Sequence, residues 1–228
     1  MRNWFALIIF TAAAVILPAQ TATPGTVQAT GTATLSVNPD EASLDISVIT
    51  QGATAQQAAQ LNASQTTTVI NALKQLLSVH GSIQTVAYSV YPRYSTQPGQ
   101  SNVIVGYTAS NTVRATTSDL TLPGPIIDTA NQAGASTVGN LTFDLQNPEP
   151  YKQQALSAAA KQAQAHAAAI AAGLSAKTGS VVSAQESSTT TIPIYAGTAG
   201  AVAGTPTPVQ SGPVNVSATV TITVQLMQ

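Results

Sequence analysis

The chain has 228 residues, of which 44% are hydrophobic and only 7% are charged, and its formal net charge at pH 7 is −1. This length fits one large domain or two small ones, and the low charge excludes a basic surface for nucleic acid or anionic lipid. The absence of cysteine excludes disulfides, thiolate catalysis, Cys-ligated zinc and iron–sulfur clusters. The surface must therefore be covered largely by Thr, Ser, Gln and Asn.

The first residues are typical of a secretory signal peptide. Arg2 supplies one positive charge ahead of an apolar run over residues 4–17, which Pro18 ends. A signal peptide is predicted over residues 1–22, with cleavage within residues 18–24. An uncleaved anchor is the alternative, but this run is short for a bilayer that needs about 20 apolar residues. We therefore expect a periplasmic or secreted protein with no stable membrane span after cleavage.

Two strands are predicted after the signal peptide. Residues 27–37 alternate between apolar and polar, with Gly31 at one inward position, and residues 42–48 continue the alternation. The turn residues 38–40, Asn-Pro-Asp, separate the two segments. We expect these strands to form a hairpin.

Three helices are predicted, two long and one short. Thr54 followed by Gln57 is typical of a capping box, and it begins a long amphipathic helix that Gly81 is expected to end. A short helix is predicted from about Pro123 to Ala133. A second long helix begins near residue 150 and is rich in alanine on several faces.

Further strands are predicted between and after the helices. Their alternating segments are residues 83–90, 103–115, 141–145, 181–184 and 214–226. The last of them has the cleanest alternation, and we expect it to pair with the first strand of the mature chain. Residues 187–213 are rich in Thr, Gly, Ala and Pro, which predicts a mobile loop that proteases cut first.

The predicted order of elements is β-β-α-β-β-α-β-α-β-β. Hairpins mixed with helical crossovers favour an α+β fold, with a largely antiparallel sheet packed against two long helices and one short helix. Residues 23–228 are therefore predicted to be a single domain with a flexible loop at about 187–213.

About a dozen short motifs occur in a fixed order along the chain. They include Gly31 before Pro39-Asp40-x-Ala42, then Asn62, Tyr88-Ser89, Ile127-Asp128, Ala133-Gly134-Ala135 and Glu186. In this order they resemble the SIMPL-domain (DUF541) family of exported bacterial proteins, over nearly the whole mature chain. The resemblance is to the periplasmic oxidative-stress-defence and immunogenic proteins of that family. It implies an envelope-associated role, often linked to stress defence.

The ionisable residues do not form a recognisable catalytic or metal-binding pattern. His80 and His166, the only histidines, lie far apart without a neighbouring carboxylate or an H-E-x-x-H pattern. No G-x-S-x-G motif is present, and the glycines of residues 196–204 lack the context of a phosphate-binding loop. We predict no catalytic residue, no cofactor and no metal site, and hence a protein that is not an enzyme.

Three carboxylates, those of Asp40, Asp128 and Glu186, are candidate site residues. Asp40 is interpreted as a turn acceptor and Asp128 as a residue on a helix face, although both types of residue also serve in active sites. If Asp40, Asp128, Glu186 and either histidine lay within hydrogen-bonding reach, an enzyme would be favoured. Scattered positions would favour structural roles.

A cluster of aromatic and basic residues is predicted on neighbouring strands. Its members are Tyr88, Tyr91, Tyr94 and Tyr107, with Arg93 and Arg114. Such a cluster is typical of a polar and aromatic binding surface, and packing at the edge of the core is the alternative. The main hypothesis is that the chain is a non-catalytic envelope protein that acts through assembly or binding, and the resemblance implies a role in stress defence. Two alternatives are a carbohydrate- or peptide-binding module that uses the tyrosine surface, and an enzyme with an unrecognised site.

Homo-oligomerisation is the expected form of assembly. A surface with so little charge has weak electrostatic protection against self-association. Exposed alanines of the long helix, such as Ala165 and Ala169, would allow a second copy to approach closely. The alternative is that alanine reflects helix propensity alone. A protein or glycan partner is left open.

Overall fold

The computed structural model describes residues 25–98, 102–195 and 207–228. The predicted signal peptide, residues 1–22, lies outside the described residues. The elements in chain order are β1 (Thr26–Val37), β2 (Glu41–Gly52), α1 (Ala55–Leu77), β3 (Gly81–Tyr94), β4 (Ile104–Thr117), α2 (Pro123–Gln132), β5 (Thr137–Asp144), α3 (Glu149–Gly173), β6 (Lys177–Ile192), β7 (Ile194–Tyr195) and β8 (Val214–Met227).

The strands form two antiparallel sheets rather than one. The three-stranded sheet has the order β1-β8-β6, and the five-stranded sheet has the order β3-β4-β2-β5-β7. The α+β class and the predicted order are confirmed, and β7 is added between the last two predicted strands. A strand of two residues is too short to give an alternating pattern, which is why the sequence did not predict it.

The predicted hairpin between the first two strands is wrong. β1 pairs with β8 along its whole length, from Thr26 opposite Gln225 to Val37 opposite Val214, whereas β2 lies between β4 and β5. The intervening turn carries the chain from one sheet to the other, and the Asp40 N–H donates to the Asp144 carbonyl in the five-stranded sheet (3.1 Å). Alternation reveals which face of a strand is buried but does not select its partner. The predicted pairing of the first and last strands is confirmed.

The core of the three-stranded sheet is built around α3. The helix buries alanines at every fourth position against the sheet, namely Ala155, Ala159, Ala163, Ala167 and Ala171. At Gly31 the helix backbone comes so close that a Cβ atom would collide with the Ala159 carbonyl oxygen. Glycine at this position therefore permits the close approach, and part of the alanine stripe serves intramolecular packing.

The core of the five-stranded sheet uses larger side chains. Helices α1 and α2 pack on the same face of the sheet, and Phe143, Leu44, Ile46, Leu73 and Ile126 are all fully buried there. This second cluster is distinct from the cluster beneath α3. The domain thus contains two cores on two sheets, joined by the chain segments that cross between them.

The N-terminal cap of α1 is confirmed, but its predicted end is corrected. The Gln57 N–H donates to the Thr54 hydroxyl (3.2 Å), and the Gln57 side chain accepts from the Ala53 N–H (3.1 Å). The helix ends at Leu77 with Ser78 as its cap, rather than at Gly81. Gly81 instead begins β3, where a Cβ atom would collide with the backbone of β4. Glycine is thus required by strand packing and not by the helix end.

Secondary structure continues into the segment predicted as a loop at about 187–213. Residues 187–192 belong to β6 and pair with β8. Beyond residues 196–206, which lie outside the described residues, the chain contacts the five-stranded half. The Thr207 hydroxyl donates to Asp128 on α2 (2.8 Å), and Val209 packs against that core. The mobility of the segment stays a prediction.

Candidate functional site

The three carboxylates considered from sequence lie on different elements, and each has its own hydrogen-bond donor. Asp40 accepts from the Gln146 N–H (2.7 Å), Asp128 from the Thr207 hydroxyl (2.8 Å) and Glu186 from the Thr189 hydroxyl. These contacts lie on the crossover turn, on α2 and on β6, respectively. By the criterion set from the sequence, this distribution favours structural roles.

His166 has a structural contact at the edge of the three-stranded sheet. Its Nδ1 donates to the carbonyl oxygen of Thr30 in β1 (2.8 Å), because a carbonyl oxygen can only accept. Gln162, one helical turn earlier, accepts from the Thr32 N–H (2.6 Å). The two α3 side chains thus hydrogen-bond to backbone groups on the outer edge of β1. Without these bonds, the same backbone groups would be open to pairing with another strand.

One cleft brings a histidine and a carboxylate to the same lining. Its volume is about 250 Å³, and it is lined by Glu41, Val79, His80, Gly81, Ser82, Thr116, Thr117, Ser118 and Gln146. Burial raises the pKa of Glu41, and the neighbouring carboxylates of Asp144 and Asp40 raise it further. The Ser118 hydroxyl donates to the backbone carbonyl of His80 (3.5 Å) and not to its ring. A nucleophile hydrogen-bonded to its base, which acyl transfer requires, is therefore not formed here.

Metal-ligating side chains do not converge within the part of the chain that the structure describes. In residues 25–98, 102–195 and 207–228, no group of three or more His, Asp or Glu side chains is arranged to hold a metal ion. Over the same ranges, no helix is long and apolar enough to cross a membrane.

The predicted cluster of tyrosines and arginines is divided between the two faces of the five-stranded sheet. Tyr88 lies opposite Asn111, which lies opposite the buried Val48, so Tyr88 is on the face that carries α1. Tyr91 lies opposite Thr108 and so belongs to the other face, which we call the open face. These residues therefore do not form one continuous aromatic surface. Tyr88, Tyr91 and Tyr94 are about half exposed, which is compatible with packing at the edge of the core.

The arginines of this set hydrogen-bond to polar partners on β2. Arg114 donates two hydrogen bonds to Asp45 (2.7 and 2.9 Å), and the Asn140 amide donates a third (3.1 Å). The hydrogen bond from Arg114 is the main cause of a lowered Asp45 pKa, which the Asn140 hydrogen bond also lowers. Arg93 donates to Gln51. These contacts tie β3 and β4 to β2 on the open face of the sheet.

The far end of the β3–β4 hairpin forms an exposed apolar surface. Strand β2 ends at Gly52, opposite Tyr107, but β3 and β4 remain paired beyond that point. We call residues 93–95 and 103–106 the hairpin arm. Within it Tyr94, Val103, Ile104 and Val105 are each between 47% and 55% exposed, and no third strand lies beside them in the described sheet.

A groove lined by both apolar and polar side chains lies between α3 and β6. We call it the helix groove; its volume is about 470 Å³, and its lining residues are Lys161, Gln164, Ala165, Ala167, Ala168, Thr178, Gly179, Val181 and Val224. It exists because α3 lies mainly over β1 and β8, and it leaves the β6 side of the sheet less covered. Val181 is about half exposed at its floor.

Comparison with known proteins identifies the family of this chain. The family described as SIMPL, "Protein of unknown function (DUF541)", matches residues 27–224. The chain belongs to this family. Two relatives are the 26 kDa periplasmic immunogenic proteins of Brucella melitensis biotype 1 and of Brucella abortus strain S19. Each is 28% identical over 178 residues, which cover 76% of this chain and 71% of the relative.

Membership of the SIMPL family confirms the resemblance drawn from the motif order, and the structure explains several of those motifs. Gly31 admits α3, and Asp128 holds Thr207. Asn62 is fully buried on α1 and donates to the carbonyl oxygens of Val48 and Ala109 (2.8 and 3.2 Å). These contacts join elements to one another, so these three residues have structural roles in the fold.

Sequence reasoning did not identify the hairpin arm or the helix groove. One feature that marked the arm was the run Val103-Ile104-Val105, since three consecutive apolar residues break the alternation expected of a half-covered strand. No sequence pattern indicated the groove, because its presence depends on where α3 lies across the sheet.

Proposed function

We propose that this SIMPL protein is a non-catalytic component of the bacterial envelope that acts by self-assembly, with the hairpin arm of one copy seated in the helix groove of the next. The observation that carries the proposal is the presence of two exposed surfaces with apolar side chains, neither of them covered by another helix or strand among the residues that the structure describes. The periplasmic relatives support the envelope as the compartment.

The arm has the chemistry of a segment that docks. Its exposed side chains are three aliphatic residues, one tyrosine and Arg93, and apolar exposure of this kind marks interaction sites on proteins. It is also a two-stranded ribbon without a supporting helix, so burial against another copy would stabilise it.

The groove has the chemistry of a receiving surface. Ala165, Ala167 and Ala168 have short side chains, so a side chain from another copy can reach Val181 and Val224 at the floor of the groove. A few aliphatic side chains of the size found in the arm match its volume of about 470 Å³. Arm and groove are different surfaces, so the contact is heterologous and either closes into a ring or extends into a filament.

The scarcity of charge favours such contacts. Seven basic and eight acidic residues in 228 leave little like-charge repulsion between copies. The groove lining and the arm each contain one charged residue, Lys161 and Arg93; both are basic, so the seated arm must keep these two cations apart.

The test is the mass of the mature protein in solution, measured by light scattering, for the wild type and for two variants. Ala165→Arg fills the groove, and Ile104→Asp puts a charge on the arm. We expect a discrete assembly for the wild type and monomers for both variants, with unchanged circular dichroism. Ala63→Arg, an exposed position on α1, is the matched control and should leave the assembly intact.

A monomeric wild type at tens of micromolar would contradict the proposal. An assembly that survives both substitutions would place the contact elsewhere and contradict the assignment to the arm and groove.

Stress defence is the physiological role that we propose for the assembly, on the basis of the family resemblance. A strain lacking the protein should survive peroxide less well than its parent. Complementation with Ala63→Arg should restore survival, and complementation with Ala165→Arg should not.

A further inference from the structure

The face of the three-stranded sheet opposite α3 carries a regular set of uncharged polar side chains. Residues directly opposite each other on neighbouring strands share a face, which gives four rows across β1, β8 and β6. The rows are Gln28–Thr223–Ser183, Thr30–Thr221–Gln185, Thr32–Thr219–Ser188 and Thr34–Ser217–Thr190. We call this set the hydroxyl array. Every β1 and β6 member is exposed.

Two of the four rows contain a pair of hydroxyl groups that hold each other in position. The Thr30 and Thr221 hydroxyls are hydrogen-bonded (3.0 Å), as are those of Thr34 and Ser217 (2.9 Å). The β-branched threonine side chain has few rotamers to lose on a strand. Each linked hydroxyl retains hydrogen-bonding capacity, so the array presents donors and acceptors at fixed points.

The spacing of the array follows from the geometry of the sheet. Neighbouring strands lie about 4.7–4.9 Å apart, and same-face residues recur about every 6.6–6.8 Å along a strand. β1 and β8 pair without a register shift over their whole length, so the rows are continuous across these two strands. The array therefore offers a repeating pattern rather than a single pocket.

The composition of the array excludes charged ligands. None of its side chains is charged, and Glu186 on the same strand lies opposite Val220 and hence on the α3 face. A phosphate, a carboxylate or a cation would lose its hydration here without gaining an ionic partner. A partner that fits must be neutral, and must itself repeat hydroxyl or amide groups.

We propose that the hydroxyl array binds a neutral glycan chain lying along the sheet. Sugar hydroxyl and acetamido groups both donate and accept hydrogen bonds, as do the Ser, Thr and Gln side chains of the array. This site is separate from the arm and the groove and does not depend on self-assembly.

Because the array binds through hydrogen bonds alone, its affinity should depend on the length of the glycan. A hydrogen bond exchanged with water contributes little net free energy, and the array has no aromatic platform. A disaccharide should therefore bind weakly, whereas a long chain that contacts several rows at once gains by avidity. We expect the long polymer to bind at least about tenfold more tightly than the disaccharide.

The experiment is retention of the full mature chain on chitin and on cellulose, with alginate as an anionic polymer. Retention on both neutral polymers assigns the site to hydroxyl groups, and retention on chitin alone assigns it to acetamido groups; both outcomes support the proposal. Retention on alginate equal to that on chitin would overturn it, as would no retention on either neutral polymer.

Two variants locate the binding. The double substitution Thr30→Val and Thr221→Val removes a linked pair of hydroxyls with little change of shape and should lower retention several-fold. Gln185→Lys adds a charge to the array, and Gln84→Lys is its matched control on an exposed position of the five-stranded sheet. Retention that is lost with Gln84→Lys, or kept with the threonine double variant, would overturn the assignment. Thermal melts establish that each variant is folded.

Discussion

The two halves of the molecule bury apolar surface in different ways. Beneath α3, the three-stranded sheet packs against a stripe of five alanines and reaches its closest contact at Gly31. Beneath α1 and α2, the five-stranded sheet packs through Phe143, Leu44, Ile46 and Leu73. One core depends on the shortness of its side chains, and the other depends on their volume.

This difference predicts opposite sensitivities. Where a helix lies close to a sheet, added atoms have no room, whereas deleted methyl groups remove little contact. Where large side chains fill a wide space, deletion leaves a cavity. The halves can therefore be told apart by the direction of the substitution that each tolerates.

The largest effect is expected from a deletion in the five-stranded half. Phe143→Ala removes a fully buried ring, and we expect the free energy of unfolding to fall by about 3–5 kcal/mol. Urea denaturation measures it, with Tyr88→Ala as the control, since that ring is about half exposed. If the two substitutions cost the same, the view of this core as volume-filled is wrong.

The next largest effect on stability is expected from adding a methyl group in the three-stranded half. Gly31→Ala introduces a Cβ into the backbone of α3, and we expect a loss of roughly 1–3 kcal/mol. Gly139→Ala in β5 is the matched control, because no atom lies within 4 Å of a Cβ at that position. Equal melting temperatures for the two variants would show that α3 can move away from β1 without cost.

A buried polar contact in the five-stranded half should follow. Asn62→Leu leaves the carbonyl oxygens of Val48 and Ala109 without their side-chain donor, at a cost of about 1–3 kcal/mol. Hydrogen exchange should then quicken near the C-terminal end of β2 and the N-terminal end of α1, while α3 keeps its protection. Asn71→Leu, at an exposed position on the same helix, should leave both exchange patterns unchanged.

The smallest effect concerns the Asp45–Arg114 ion pair and its dependence on pH. The pKa of Asp45 is lowered in the folded state, so its contribution to stability is present above its ordinary pKa and is lost as the pH falls through the lowered value. Because Arg114 is about half exposed, the pair should contribute no more than about 0.2–1 kcal/mol.

Asp45→Asn should therefore lower the melting temperature at pH 7 and flatten its decline below about pH 4. Glu149→Gln, which weakens an exposed pair with Lys152 on α3, should change neither quantity measurably. If the melting temperature of Asp45→Asn declined below about pH 4 as steeply as that of the wild type, Asp45 would not be the cause of this pH dependence.

Much of the fold was predictable because its elements have strong local patterns. The alternation of residues 214–226 reflects a strand buried on one face, and Thr54 with Gln57 marks a helix start through contacts within four residues. The boundary at Gly81 was misplaced because a glycine required by a neighbouring strand looks the same in sequence as one that ends a helix. The candidate surfaces were less predictable, because exposure of an apolar residue depends on what the rest of the chain leaves uncovered.

The sequence by itself determined the family, the order of the elements and the faces that they bury, since periodicity and capping act over a few residues. Tertiary structure alone decided that β1 does not pair with β2, that the tyrosines fall on opposite faces, and that α3 leaves a groove beside β6. The reason is that hydrophobic burial is not directional: it fixes which side of an element turns inward. Backbone pairing and close contacts such as that at Gly31 then select the neighbour.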